Sequence, residues 1–321
     1  MSGRFIGIAL LLAAGLCLAD GRKLELRGRI EPPPREFAAV TLHGSDFPFN
    51  ATKLSGPGGK FQFKKVDPGQ YTVIVFLPGR GTVRRTVSIT PSLADEKGRV
   101  RVTIPFQPSG EALAASGTVS VRELTIPRKA KREYERAQKQ LSKRNVDAAI
   151  AHLKKAVEIA PNHVAAWNNL GTIAYQTARY RDAEKYFRTA LRYEPGAYSP
   201  VVNLGGALLA LNEFKEALKY NLYALELRPL EALPNSQLGL NYHYLGDDDR
   251  AIKYLTKARE IDPNHFSQPQ LTLGKIYASR GDLNNAVREL RDYVKRHPDS
   301  PTAEGVRKWL AQVKRQAAPQ R

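Results

Sequence analysis

Cysteine is almost missing from this chain: 321 residues contain one, Cys17. It sits in an N-terminal apolar run that reads as a removable export signal. A mature chain without a thiol forms no disulfide and no thiolate metal site. The six histidines (His43, His152, His163, His243, His265 and His297) are scattered, and no pair has the spacing of metal ligands. The sequence has no glycine-rich phosphate loop and no Gly-x-Ser-x-Gly elbow. These absences argue against catalysis, and nothing in the sequence asks for a cofactor or a metal. Acidic residues are in short supply as well, 31 against 50 Lys and Arg, for a formal net charge of +19. From residue 128 onward there are 33 basic and 21 acidic side chains, so the excess is spread over the whole chain and marks no single footprint.

The only long apolar run is Phe5 to Ala19, preceded by Arg4 and followed by Asp20-Gly21-Arg22-Lys23. As a helix it would span roughly 22 Å, short of the ~30 Å hydrocarbon core. A basic start, a short apolar centre and small residues at Cys17 and Ala19 indicate a signal peptide cut after Ala19. An uncleaved anchor and a lipid-modified Cys17 are the alternatives, and Leu16 fits the second poorly. The expected location is the periplasm or cell envelope of a bacterium, or the medium. The mature chain has no membrane-spanning segment on this reading.

Between Lys23 and Phe106 the apolar residues alternate: Leu24, Leu26 and Ile30, then 37–42, 61–63, 71–77, 83–89 and 100–104. Short runs rich in Val, Ile, Phe, Tyr and Thr, separated by Gly56-Pro57-Gly58-Gly59 and Asp67-Pro68-Gly69, predict an antiparallel β-sandwich. The stretch Gly59-Lys-Phe61-Gln-Phe63-Lys-Lys-Val66-Asp-Pro68-Gly69-Gln-Tyr71-Thr-Val73 resembles the carboxypeptidase regulatory-like, transthyretin-type sandwich. That resemblance implies an accessory module appended to other domains, with Phe61, Phe63, Tyr71 and Val73 in its core.

Farther on, Pro161, Pro195, Pro229, Pro263 and Pro298 stand 34, 34, 34 and 35 residues apart. Before them recur Trp167, Leu170, Gly171, Tyr175, Ala183, Phe187 and Ala190; Leu204, Gly205, Leu208, Ala217 and Ala224; Leu238, Gly239, Tyr242, Ala251, Leu255 and Ala258; and Leu273, Gly274, Tyr277, Ala286 and Leu290. The first unit keeps Ala149, Leu153 and Ala156 but has a divergent first helix. This pattern resembles the tetratricopeptide repeat, a pair of antiparallel helices that stacks into a superhelix. The fold class expected is therefore multidomain: an N-terminal all-β sandwich followed by an all-α, right-handed solenoid. Glycines 171, 205, 239 and 274 are expected to face alanines 183, 217, 251 and 286 where the helices of a pair cross. After Pro298, Ala303, Val306, Leu310 and Val313 at helical spacing predict a capping helix. The boundaries are a signal peptide at 1–19, the sandwich at 20–106, a linker with one further strand within 107–127, five repeats at 128–300, and a cap and tail at 301–321.

The resemblance places function on the concave face lined by the first helix of each unit. Its candidate residues are Asn168, Asn169, Thr172, Tyr175, Asn203, Ser236, Gln237, His243, Tyr244 and Lys275, together with Tyr134, Gln138, Gln176 and Ser199. Amides donate and accept at once, which suits the backbone of an extended peptide. Asn169, Asn203 and Gln237 occupy one repeat position and resemble the asparagine ladder of some members. Asn168 and Val202 stand where a lysine carboxylate clamp would need cations. The expectation is an exported, non-enzymatic scaffold for a protein or peptide partner. The alternative is a binder of an anionic envelope polymer or polysaccharide through the basic surface. Export argues against nucleic acid.

Overall fold

The structure, a computed structural model, describes residues 23–56, 58–107 and 125–317. Seven strands form the first part: β1 (Leu24–Glu31), β2 (Ala39–Gly44), β3 (Asn50–Leu54), β4 (Lys60–Val66), β5 (Gly69–Leu77), β6 (Gly81–Ile89) and β7 (Arg99–Pro105). They make two sheets in the orders β4-β1-β7 and β3-β2-β5-β6. Alternation in β1 and β5 puts Leu24, Leu26, Ile30, Tyr71, Val73, Val75 and Leu77 between the sheets, where they meet Val40, Leu42, Phe61, Phe63 and Ile104. Gly28 has no side chain because the Phe61 ring lies across it: a Cβ there would come within 1.9 Å of Phe61 Cζ. The Tyr71 hydroxyl donates to the Asp67 carbonyl at 2.9 Å, which pins the 67–71 turn and satisfies the ring's polar end.

Two sequence expectations need correction. Asn50–Leu54 is a strand although Asn-Ala-Thr-Lys-Leu lacks clean alternation; it is an edge strand, and an edge needs little burial. The sandwich is also not purely antiparallel, since β7 pairs parallel to β1 in the register Leu26↔Val100 to Ile30↔Ile104. The chain leaves β6 in one sheet and crosses to the edge of the other, arriving with β1's direction. The further strand within 107–127 falls mostly outside the described residues.

The second part is eleven helices: α1 (Arg128–Leu141), α2 (Val146–Ile159), α3 (Val164–Gln176), α4 (Tyr180–Tyr193), α5 (Tyr198–Ala210), α6 (Phe214–Leu227), α7 (Ala232–Tyr244), α8 (Asp248–Ile261), α9 (Pro269–Ser279), α10 (Leu283–Arg296) and α11 (Ala303–Ala317). Each odd helix pairs with the even one after it, and the pairs stack into a solenoid. The cap α11 buries Ala303, Val306, Leu310 and Val313 against the last pair. Every pair turns at one repeat position, where Arg144, Ala178, Asn212, Gly246 and Gly281 all take positive φ, from 58° to 82°. Asn145, Asp247 and Asp282, next in line, cap the following helices by accepting from the backbone N–H of Ala148, Arg250 and Asn285.

The glycines face a bulkier neighbour than the repeat pattern suggests. A Cβ on Gly171 would meet Phe187, on Gly239 Leu255, and on Gly274 Leu290, each one turn beyond the alanine of the second helix. The alanines are fully buried at the same crossing and let the helices close; the long side chain one turn on fills the space above the glycine. In the third repeat the corresponding residue is Asn221, fully buried. Its amide donates to Asn241 Oδ1 at 3.1 Å, and Asn241 Nδ2 donates to the Phe214 carbonyl at 2.9 Å.

Candidate functional site

The odd helices carry the amide row. Asn203 donates from Nδ2 to Asn168 Oδ1 at 3.0 Å and reaches Thr172 Oγ1 at 3.4 Å, while Asn169 Nδ2 donates to the Tyr134 hydroxyl at 3.3 Å. These bonds join the first three repeats through polar side chains. Gln237 lies over the glycine pair of α5, its Nε2 2.7 Å from where a Cβ on Gly206 would stand. Its Oε1 is buried without a hydrogen-bond donor. The row Asn169, Asn203 and Gln237 is half-buried throughout.

The remaining candidates divide between core and rim. Ser236 is fully buried and bonds Ser267, which in turn meets His265 Nδ1 at 2.7 Å. Tyr175 packs edge-on against Tyr180, and burial pushes its phenol up to about 12. His243 sits 2.7 Å from Asp248 Oδ1. Tyr244 is exposed at the rim, stacked on Phe214 with centroids 4.8 Å apart. Lys275 is exposed. The structure therefore brings Asn168, Asn169, Thr172 and Asn203 together and leaves Tyr244 and Lys275 apart from them.

Sequence reasoning missed the largest feature of this surface: the sandwich is docked on the array, and its contacts touch every repeat. In the first, Asn50 Nδ2 donates to Gln138 Oε1 at 2.6 Å, and Arg144 pairs with Asp67 at 2.9 Å while lying over the Phe47 ring at 4.2 Å. In the second, Gln176 Nε2 donates to the Gly44 carbonyl at 2.9 Å. In the third, Arg84 pairs with Glu231 at 2.5 Å and faces the Tyr198 ring, which Arg228 covers at 4.2 Å. In the fourth, the backbone N–H of Thr86 donates to Asp262 Oδ2 at 2.9 Å, both residues being buried. At the fifth, Gln70 approaches His297 Nδ1 at 3.4 Å and Ser92 bonds Asp299.

All these sandwich residues belong to the β3-β2-β5-β6 sheet or to the turns around it. Because β6 is an edge strand, the Thr86 N–H would otherwise lack a partner; Asp262 closes that edge. Burial raises the Asp262 carboxyl above the usual range against the pull of the Thr86 bonds. Loss of water contact pushes His43 down to about 4, with Arg84 adding to the effect. It pushes His297 to about 4, helped by Arg296, and His265 to about 3 against the opposing charge of Glu231. The interface thus holds neutral histidines beside arginines. No sequence signal marks it, because its partners are ordinary Arg, Asp, Glu and amide residues up to 227 positions apart.

Among the described residues no group of His, Cys, Asp and Glu is placed to hold a metal ion, and no helix is long and apolar enough to cross a membrane.

Comparison with known proteins covers the helical part. Residues 140–196, 169–232, 232–265 and 270–300 match the tetratricopeptide repeat. Those residues are therefore tetratricopeptide repeats. The fold of the helical part is similar to that of pilF from Pseudomonas aeruginosa, 20% identical with a TM-score of 0.51 over 59% of this chain and 85% of that one. It is also similar to the APC/C hetero-tetramer Cut9-Hcn1, 18% identical with a TM-score of 0.52 over 62% of this chain and 39% of that one. YrrB, a tetratricopeptide protein described as having an unusual peptide-binding site, is 24% identical with a TM-score of 0.47 over 59% of this chain and 95% of its own. No curated protein matches.

Proposed function

We propose that this chain is an exported, non-enzymatic scaffold whose repeat array holds a protein partner through extended backbone. The observation that carries this reading is the way the array grips its own sandwich. Gln176 donates to the backbone carbonyl of Gly44 and Asp262 accepts from the backbone N–H of Thr86, so side chains at two levels of the stack bind extended main chain. Main-chain bonding of this kind recognises conformation more than sequence. The amide row Asn169, Asn203 and Gln237 offers the same chemistry farther inside. Tetratricopeptide arrays are protein-interaction scaffolds, which supports the coarse reading. The sandwich, read as the carboxypeptidase regulatory-like type from Gly59 to Val73, is the accessory module.

The test is affinity capture of the mature chain from envelope extract, with identification of what co-elutes, followed by the triple change Asn169→Ala, Asn203→Ala and Gln237→Ala. Each lost hydrogen bond is worth about 0.5–1.5 kcal/mol, so the triple variant should bind the identified partner roughly ten-fold or more weakly; because it also loses the Asn169–Tyr134 and Asn203–Asn168 bonds, its melting curve is measured alongside to separate lost binding from lost folding. Binding unaffected by the triple change would remove the amide row from the site. Export is tested by N-terminal sequencing of the mature protein: Asp20 is expected, and Met1 or a lipid-modified Cys17 would overturn cleavage after Ala19.

A further inference from the structure

The two sheets of the sandwich have opposite surroundings. One is docked on the array; among the described residues nothing covers the outward face of the other, β4-β1-β7. Along that open face stand Lys60 and Lys64 of β4, Arg27 and Arg29 of β1, and Arg99 and Arg101 of β7, against Glu25 and Glu31. Arg27 pairs with Glu25 at 2.5 Å, and Asp95 answers Arg99 and Arg101 at 2.9 and 3.6 Å. Arg29, Lys60 and Lys64 make no ion pair among the described residues, and all three are exposed.

The register makes this arrangement costly to the fold. Arg29 is directly opposite Lys60, and Arg27 directly opposite Arg101. Like charges facing across strands destabilise a sheet. Glu25 and Asp95 answer Arg27 and Arg101, so Arg29–Lys60 is the pair left without a counter-charge among the described residues, and both of its side chains are exposed.

We propose that the open β4-β1-β7 face docks on the surface of an anionic phospholipid bilayer. The face is a sheet and not a groove, with cations about 5 Å apart between strands and about 7 Å apart along them. A plane of headgroup phosphates can meet all of them at once, whereas a single polymer chain follows a cleft. The second support is continuity of the chain. The apolar run ends at Ala19, and residues 20–23 span at most about 14 Å before Leu24 opens the central strand of this same sheet. On the export reading proposed above, on which this support rests, the start of β1 is therefore tethered within that reach of the apolar run. Docking on this face uses the sheet opposite the one that holds the array.

The test uses the chain from Asp20 onward, which contains every described element, and sedimentation with vesicles. Vesicles of equal parts phosphatidylglycerol and phosphatidylcholine should bind it, and pure phosphatidylcholine should not. Each basic side chain near an anionic bilayer is worth roughly five-fold, so Arg29→Gln, Lys60→Gln and Lys64→Gln together should weaken binding on the order of a hundred-fold. The same variant should melt no lower than the parent, since it removes the Arg29–Lys60 repulsion; the melting curve thus separates lost binding from lost folding. The control variant Lys154→Gln, Lys215→Gln, Lys219→Gln removes three exposed charges from helices α2 and α6 and should bind like the parent. Equal loss in both variants, or no binding to the anionic vesicles, would overturn the proposal. Binding to soluble dextran sulfate but not to vesicles would overturn it in favour of a polymer.

Discussion

Asn221 Oδ1 sits 1.9 Å from the position a Cβ on Gly205 would occupy. Three of the repeats fill the space over this glycine with Phe187, Leu255 or Leu290; the third fills it with an amide that also holds Asn241. The crossing of α5 and α6 is therefore locked by both shape and hydrogen bonding. Gly205→Leu should destabilise by at least the roughly 1–3 kcal/mol of ordinary overpacking, and thermal unfolding followed by circular dichroism measures it. A melting midpoint equal to the parent's would mean that α5 and α6 cross elsewhere.

The turn position shared by all five repeats makes a prediction of opposite sign. Ala178 takes φ 58°, where Gly246 and Gly281 stand in later repeats. A non-glycine residue in that conformation costs about 1–2 kcal/mol, while glycine adds about 0.5–1 kcal/mol of unfolded-chain entropy. Ala178→Gly should therefore stabilise by a few tenths to about 1 kcal/mol. A lower melting midpoint would show that the Ala178 methyl makes a contact worth more than the backbone strain.

Asp262 holds the sandwich by its edge. Asp262→Ala would leave the Thr86 N–H buried without an acceptor, at a cost of about 1–3 kcal/mol, and the interface should open more often. Hydrogen exchange at Thr86 should quicken. Asp262→Asn, which keeps an acceptor, should lie between the two. Unchanged exchange in Asp262→Ala would place the grip elsewhere along the interface.

Acid should loosen the fold in a defined window. His43, His265 and His297 have folded values near 4, 3 and 4 against an ordinary 6.5, so the unfolded chain binds protons that the folded one refuses. Their neutral-state stability is complete above pH 6.5 and is lost as the pH falls from there toward 4, at up to about 1.4 kcal/mol per unit for each histidine. Asp262, whose value is raised, works in the opposite sense and begins to do so only above 3.8. Melting midpoints at pH 7 and pH 5 should differ clearly, the acid sample being less stable. Equal midpoints would mean that the three rings are not held neutral in the folded chain.

The repeats were legible because a solenoid repeats its packing rule. Proline, glycine and alanine recur at fixed offsets since each unit buries the same face against the next, and α11 follows from the same periodicity. The sandwich core was legible from alternation in β1, β5 and β6. Edge strand β3 was not, because an edge imposes no two-sided burial. Nor was Asn221 as the neighbour of Gly205, since the choice between two residues one turn apart depends on helix rotation and not on period. The docking of the sandwich was invisible for a different reason: Arg84–Glu231 and Thr86–Asp262 are single meetings of common residues, and only the three-dimensional path of both domains brings them together.

A stack of helix pairs is a spring, able to change pitch and curvature by small rotations between neighbours. Here the sandwich is bonded near both ends of that spring, at Gln138 and Arg144 on one side and at His297 and Asp299 on the other. It acts as a strut across the bow and sets its curvature. A partner that needs a wider or tighter arc must first work one end of the strut loose, so the force needed to detach it, measured by pulling on the two termini of the array, sets the stiffness with which this scaffold meets what it binds.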